Sequence, residues 1–163
     1  MKSKVKTKIY LAGSCSSERR TVMKGIAERL RVAGFEVYCP FEFKVPNAWD
    51  MSQEKWAAKV FESDKKAMQA CDVFLLITPG RESTAGSNWE QGYVYALGKN
   101  IVVVQYTESD TSLMTYCGSD NFVVCPEKDL NDKIVSIIDT YITCVLLNKK
   151  ADTARENCMT TLT

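Results

Sequence analysis

A doubly wound α/β domain is what this sequence predicts, and three observations carry the prediction. Short apolar runs alternate along the chain with longer segments of helical periodicity. Most of the runs are continuous rather than alternating, as in strands covered on both faces of a parallel sheet. Glycines and prolines punctuate the boundaries. With right-handed crossovers, such alternation yields a single domain around a five-stranded, mostly parallel sheet wound in both directions.

The elements follow in order. "KIYLAG" (8–13) is a buried strand ended by Gly13. From Glu18 to Ala33, the recurrence of Val22, Ile26, Ala27 and Leu30 predicts a helix stopped by Gly34. "FEVYC" (35–39) is a second strand, closed by Pro40. A polar and aromatic loop precedes a helix from about Trp49 to Ala70, with Trp56, Val60, Phe61, Ala67 and Met68 on one face. "DVFLLIT" (72–78) is the third strand, and 87–98 a helix closed by Gly98. Strands follow at 101–105 and 121–125, and an amphipathic helix at 127–147. The domain is expected to span 1–148. The tail 149–163 lacks periodicity and stays unassigned.

Composition narrows the chemistry. The chain of 163 residues is 45% hydrophobic and 25% charged, with net charge +1 and no long block of either sign. That argues against a nucleic-acid groove or a membrane-surface patch. No stretch approaches the roughly 18 apolar residues of a membrane span, and the apolar part of the start is too short for a signal-peptide core. A cytoplasmic location is the remaining expectation. Seven cysteines occur without a C-x-x-C pair, so neither a disulfide framework nor a zinc site is indicated. Cys39, Cys71 and Cys125 read as small core hydrophobes. Histidine is absent. Ser-His and Cys-His nucleophile pairs are therefore excluded. Acid-base or covalent chemistry must rest on carboxylates, Tyr, Lys or Cys.

In a doubly wound sheet, ligands bind beyond the carboxyl ends of the strands. Three polar loops leave those ends: "GSCSSERR", "TPGRESTAGS" and 106–120. Among nearby residues, Glu90 has two readings. Ser87 and Glu90 form Ser-x-x-Glu, the pattern of a capping box. The same position near a helix N-terminus favours an ionised carboxylate, as a nucleophile at a sugar carbon requires. Asp64 lies on the apolar stripe of its helix, four residues from Val60 and from Met68. A carboxylate there is costly unless it is paired or faces a polar cavity, the other reading being that it is turned to solvent beside Glu62, Lys65 and Lys66. Tyr10 reads as a core or a site tyrosine. "GSCSSERR" suits an anion at a helix start or simply caps the helix.

These pieces resemble the nucleoside 2-deoxyribosyltransferases and their nucleotide N-glycosidase relatives. The likeness lies in "KIYLAGS", the helix carrying Asp64 followed by "CDVFLL", and "GSNWEQGYVYALGK", in order over residues 8–125. The family's Asp-Ser-Gly-Thr-Ala-aromatic-Glu pattern stands here as Thr84-Ala85-Gly86-Ser87-Asn88-Trp89-Glu90. The resemblance implies a flavodoxin- or Rossmann-like fold. It implies that Glu90 is the nucleophile, that Tyr10 positions it, and that Asp64 contacts the sugar or base. On this reading Glu90 caps its helix and catalyses together. A retaining mechanism of this kind needs neither metal nor cofactor.

"LMTYCGSDNF" (113–122) resembles the transferase segment that reaches a neighbouring subunit's site. Asn121 would then act across the interface of a homodimer or higher homo-oligomer. Substrate contacts are implied for Gly13, Ser14, Thr84, Gly86, Ser87, Ser119 and Asn121. One position departs from the transferases, which carry an aspartate where this chain has Thr84. The nucleoside 5′-monophosphate glycosidases carry a serine there that binds phosphate. Their two Gly-Ser pairs are matched by Gly13-Ser14 and Gly118-Ser119. Deoxyribosyl transfer to a base is the first expectation and hydrolysis of a nucleotide the alternative. A non-catalytic nucleotide sensor is the third reading.

Overall fold

The computed structural model describes residues 6–160. Five strands form one sheet: β1 (Lys8–Gly13), β2 (Glu36–Tyr38), β3 (Val73–Thr78), β4 (Asn100–Gln105) and β5 (Asn121–Val124). Their order is β2-β1-β3-β4-β5, and every pairing is parallel. The helices are α1 (Ser17–Val32), α2 (Gln53–Ala70), α3 (Ala85–Ala96), α4 (Leu113–Cys117) and α5 (Glu127–Thr160). The chain steps outward from β1 to β2, then crosses back to place β3 on the other side of β1. This reversal opens a crevice at the carboxyl ends of β1 and β3.

Side-chain alternation divides the core by face. Ile9, Leu11, Val73, Leu75, Ile77, Val102 and Val104 pack with Ile26 and Leu30 of α1 and with Leu130, Ile134 and Ile138 of α5. The other face carries Tyr10, Ala12, Phe74, Leu76, Ile101 and Val103, covered by Met68 of α2 and Val94 of α3. Two of the glycines bear on the site's frame. Gly34 sits at φ 101° just past α1, where a side chain would be strained. At Gly13 a Cβ would lie 2.8 Å from Met23 Cε and 3.0 Å from the Ile77 carbonyl, so the end of β1 can be only this wide.

Several boundaries differ from the sequence expectation. The helix expected from Trp49 begins at Gln53, after a 3₁₀ turn at Ala48–Asp50, because Ser52 caps it by accepting from the Lys55 N–H. Within α2 only Met68 is fully buried. Trp56 and Phe61, expected on the buried face, are exposed. A short helix, α4, interrupts the 106–120 loop, too brief to leave a periodic trace. The final helix continues past residue 148 to Thr160, beyond the end of the apolar pattern.

Candidate active site

The site grows from one row of the sheet. Tyr38, Tyr10 and Phe74 are register partners on β2, β1 and β3, and their rings stack with centroids 5.5 Å apart. Tyr10 is 0% exposed, yet its hydroxyl donates to Glu90 Oε1 at 2.8 Å. Glu90 reaches that point because it lies four residues before the buried Val94, on the inward face of α3. Beside it, the Tyr38 hydroxyl donates to Asp64 Oδ1 at 2.8 Å and lies 2.9 Å from Ser63 Oγ. Glu90, Tyr10 and Asp64 are therefore brought together.

Burial governs the electrostatics. It pushes the Glu90 carboxyl up to about 7; the hydrogen bond from Tyr10 opposes the rise and the charge of Asp64 adds to it. Burial also raises Asp64, against the bond from Tyr38. Tyr10 is driven far above its ordinary value by burial and then by Glu90, so it remains a proton donor in a hydrogen bond and never an anion. The result is a carboxylate that changes charge near neutrality beside a second acid and a fixed donor.

The capping box expected at Ser87 and Glu90 does not form. Thr84 is the N-cap of α3, its hydroxyl accepting from the Ser87 N–H at 3.2 Å and lying 2.8 Å from Ser87 Oγ. The cap is satisfied three residues earlier, and Glu90 is left free for the site. Thr84 and Ser87 line a cleft of about 190 Å³ at the carboxyl ends of β1 and β3, with Ser14, Ser16, Ser83 and Arg19. Arg19 is already engaged, 2.6 Å from Glu127 and stacked 4.4 Å over the Tyr106 ring. Gly86, at the second position of α3, faces open space.

Ser119 and Asn121 lie elsewhere. Asn121 opens β5, three strand spacings from β1, which is about 14 Å across the sheet. The Ser119 hydroxyl donates to the Tyr116 carbonyl at 2.7 Å. Between α3 and α4 is a larger, apolar cleft of about 490 Å³ lined by Gln91, Gly92, Tyr95, Met114, Thr115 and Gly118 among others, with no carboxylate. The sequence reading missed Tyr38 and Ser63. The available signal was Tyr38's place in its strand, two residues after Glu36 and on the side of the sheet that Tyr10 shares. Among the described residues no His, Cys, Asp or Glu cluster could hold a metal ion, and no helix is long and apolar enough to cross a membrane.

Residues 9–123 match the family model of the nucleoside 2-deoxyribosyltransferases, over most of the chain. The chain belongs to this family. That makes it an enzyme of the deoxyribosyltransferase and N-glycosidase type. Among solved structures, the 2-deoxyribosyltransferase of the psychrotolerant bacterium Bacillus psychrosaccharolyticus is 26% identical, with a TM-score of 0.64 over 77% of this chain and 90% of that one. A conserved protein of Enterococcus faecalis V583 shares the fold at 22% identity and TM-score 0.60, covering 81% of this chain and 99% of that chain. The CMP N-glycosidase of Clostridium botulinum does so at 20% and 0.58, covering 80% and 99%. No curated protein sequence matches the chain.

Proposed function

We propose that the chain cleaves the N-glycosidic bond of a (deoxy)nucleoside through a covalent glycosyl-Glu90 intermediate and passes the deoxyribosyl group to an acceptor base. The observation that carries this reading is the part-buried hydrogen bond of 2.8 Å from the Tyr10 hydroxyl to Glu90 Oε1. The bond holds one carboxylate oxygen and leaves the other for the anomeric carbon. As the glycosidic bond breaks, its electron pair leaves with the base nitrogen and a Glu90 oxygen bonds to C1′. The nitrogen of a second base then attacks C1′ and Glu90 departs as carboxylate. The proton gained by the first base is matched by the one the acceptor loses. Asp64 accepts from the sugar or base beside the nucleophile.

Ser119 and Asn121 would serve the site of a second copy, since within one chain they lie three strands from Tyr10. The α4 residues that precede them support an interface there: Leu113 is 79% exposed and Met114 83%. The proposed assembly is a homodimer or higher homo-oligomer acting on a small nucleoside or nucleotide.

One observation favours a second reading, hydrolysis of a nucleoside 5′-monophosphate with water as acceptor. The hydroxyl-lined cleft meets the N-caps of two helices, Ser16 of α1 and Thr84 of α3, and helix starts attract phosphate. The pairing of Arg19 with Glu127 weakens that case. A single competition separates the two: a deoxynucleoside and its 5′-monophosphate in one tube, with an acceptor base added. Faster loss of the nucleoside, with a new nucleoside formed, is expected. Faster loss of the nucleotide, with free sugar phosphate as product, would overturn transfer in favour of hydrolysis. Binding without any base release would point to the sensor.

A further inference from the structure

We propose that Tyr38 is a positioning residue of this site, holding Asp64 in place through a hydroxyl relay that starts at Ser63. The inference rests on the roles of Glu90 and Asp64 proposed above and adds a residue to them.

The geometry repeats itself on neighbouring strands. Tyr10 on β1 and Tyr38 on β2 are register partners, and their rings stack at 5.5 Å with an interplanar angle of 21°. Each hydroxyl ends on a carboxylate of a covering helix at 2.8 Å, Tyr10 on Glu90 of α3 and Tyr38 on Asp64 of α2. A phenol has one proton to give. With Asp64 accepting it, the 2.9 Å contact to Ser63 Oγ must run from Ser63 to Tyr38. The relay is then Ser63 to Tyr38 to Asp64, and the first bond strengthens the second.

Ser63 and Asp64 are adjacent on α2, so one hydroxyl engages both and selects the Asp64 rotamer. The half-buried Asp64 could otherwise swing towards water. Held by Tyr38, its charge is felt by Tyr10 on β1, by Cys15 in the following loop and by Glu90 on α3, besides Tyr38 itself. Burial disfavours the Asp64 anion and the Tyr38 bond favours it. The relay thus favours the Asp64 anion against its burial and aims it as a hydrogen-bond acceptor for substrate. The stacked tyrosine pair spaces the two carboxylates.

Tyr38→Phe tests this, because it keeps the ring stack and deletes only the hydroxyl. The carboxyl carbon of Asp64 is followed by NMR against pH in parent and variant, its signal assigned with Asp64→Asn. Base release is measured alongside. The variant is expected to melt within a few degrees of the parent, to titrate Asp64 at higher pH and to lose about tenfold in kcat/KM, the scale of one hydrogen bond to a charged group. Ser63→Ala should shift both in the same direction by less. An unchanged Asp64 midpoint in Tyr38→Phe, or a kcat/KM within about twofold of the parent, overturns the proposal. A parent protein that releases no base overturns the glycosyl-transfer reading instead, and the Asp64 titration still reports on the Tyr38 bond.

Discussion

The two faces of the sheet are built to different ends. On the α1/α5 side, Ile9, Leu11, Ile26, Leu30, Leu130 and Ile134 are all at most 1% exposed, and the packing there is mainly aliphatic, with Tyr106 and Tyr141 at its edge. On the α2/α3 side the same depth of burial is given to a tyrosine whose hydroxyl meets a carboxylate. Above it, the Trp89 ring stacks on Tyr93 and meets Phe61 at 5.3 Å while both Trp89 and Phe61 stay exposed. One face lowers the free energy of the fold by removing apolar surface from water. The other gives up part of that stabilisation to hold charge where water is scarce. Removing the site should therefore make the protein more stable, and removing the opposite core should leave the chemistry intact.

Glu90→Gln gives the largest expected effect. Loss of the nucleophile should lower base release by about three orders of magnitude or more. Stability should move the other way. The folded state holds the Glu90 proton more tightly than the unfolded chain, with a value raised from 4.5 to about 7. The cost of the buried anion is thus absent below 4.5, grows as pH rises through that window and is complete above about 7, where it amounts to roughly 3 kcal/mol. Denaturant unfolding at pH 8 should show the variant more stable than the parent, with the gap closing towards pH 4. The capping reading of Glu90 predicts instead a loss of about 0.5–2 kcal/mol.

Ile26→Ala, on the aliphatic face, should destabilise the fold by about 2–5 kcal/mol. The kcat of the protein that remains folded should match the parent, as judged by turnover per active site at low temperature. A fall in kcat per folded molecule would break the division between the faces.

Smaller effects are expected in pH dependence. The acid limb of kcat/KM should follow Glu90, near 7 in the parent. Tyr10→Phe removes the bond that lowers Glu90, so the limb should move to higher pH and kcat/KM at neutrality should fall about tenfold to a hundredfold. Asp64→Asn removes the charge that raises Glu90, so the limb should move to lower pH whatever the loss in rate. Opposite shifts on one profile would be hard to obtain from general loosening of the pocket. The smallest signal is complementation: inactive Glu90→Ala and Asn121→Ala proteins, mixed so that subunits exchange, should regain part of the parent activity.

Much of this was legible in the sequence because it depends on local pattern. Continuous apolar runs marked the strands, and Glu90, Asp64 and Tyr10 were placed by their spacing within a recognisable order. Each misreading has its own physical cause. Ser87-x-x-Glu90 offered a capping pattern, but the helix starts at Ala85 and the Thr84 hydroxyl caps it. The stripe of α2 was periodic, yet Trp56 stays exposed and Phe61 meets the equally exposed Trp89 rather than the core. Tyr38 was missed as a site residue because its partner Asp64 is 26 positions away, and the strand pattern gives its side of the sheet but not that pairing.

The central claim is the bond between Glu90 and the sugar. The direct test is to trap it with a nucleoside whose 2′ carbon carries fluorine, which slows the second displacement by destabilising the oxocarbenium-like transition state, and to map the adduct by peptide mass spectrometry. The account predicts one sugar on the peptide that contains Glu90, gone in Glu90→Gln and discharged when an acceptor base is added. Steady turnover with no adduct, or an adduct on any other residue, would contradict it.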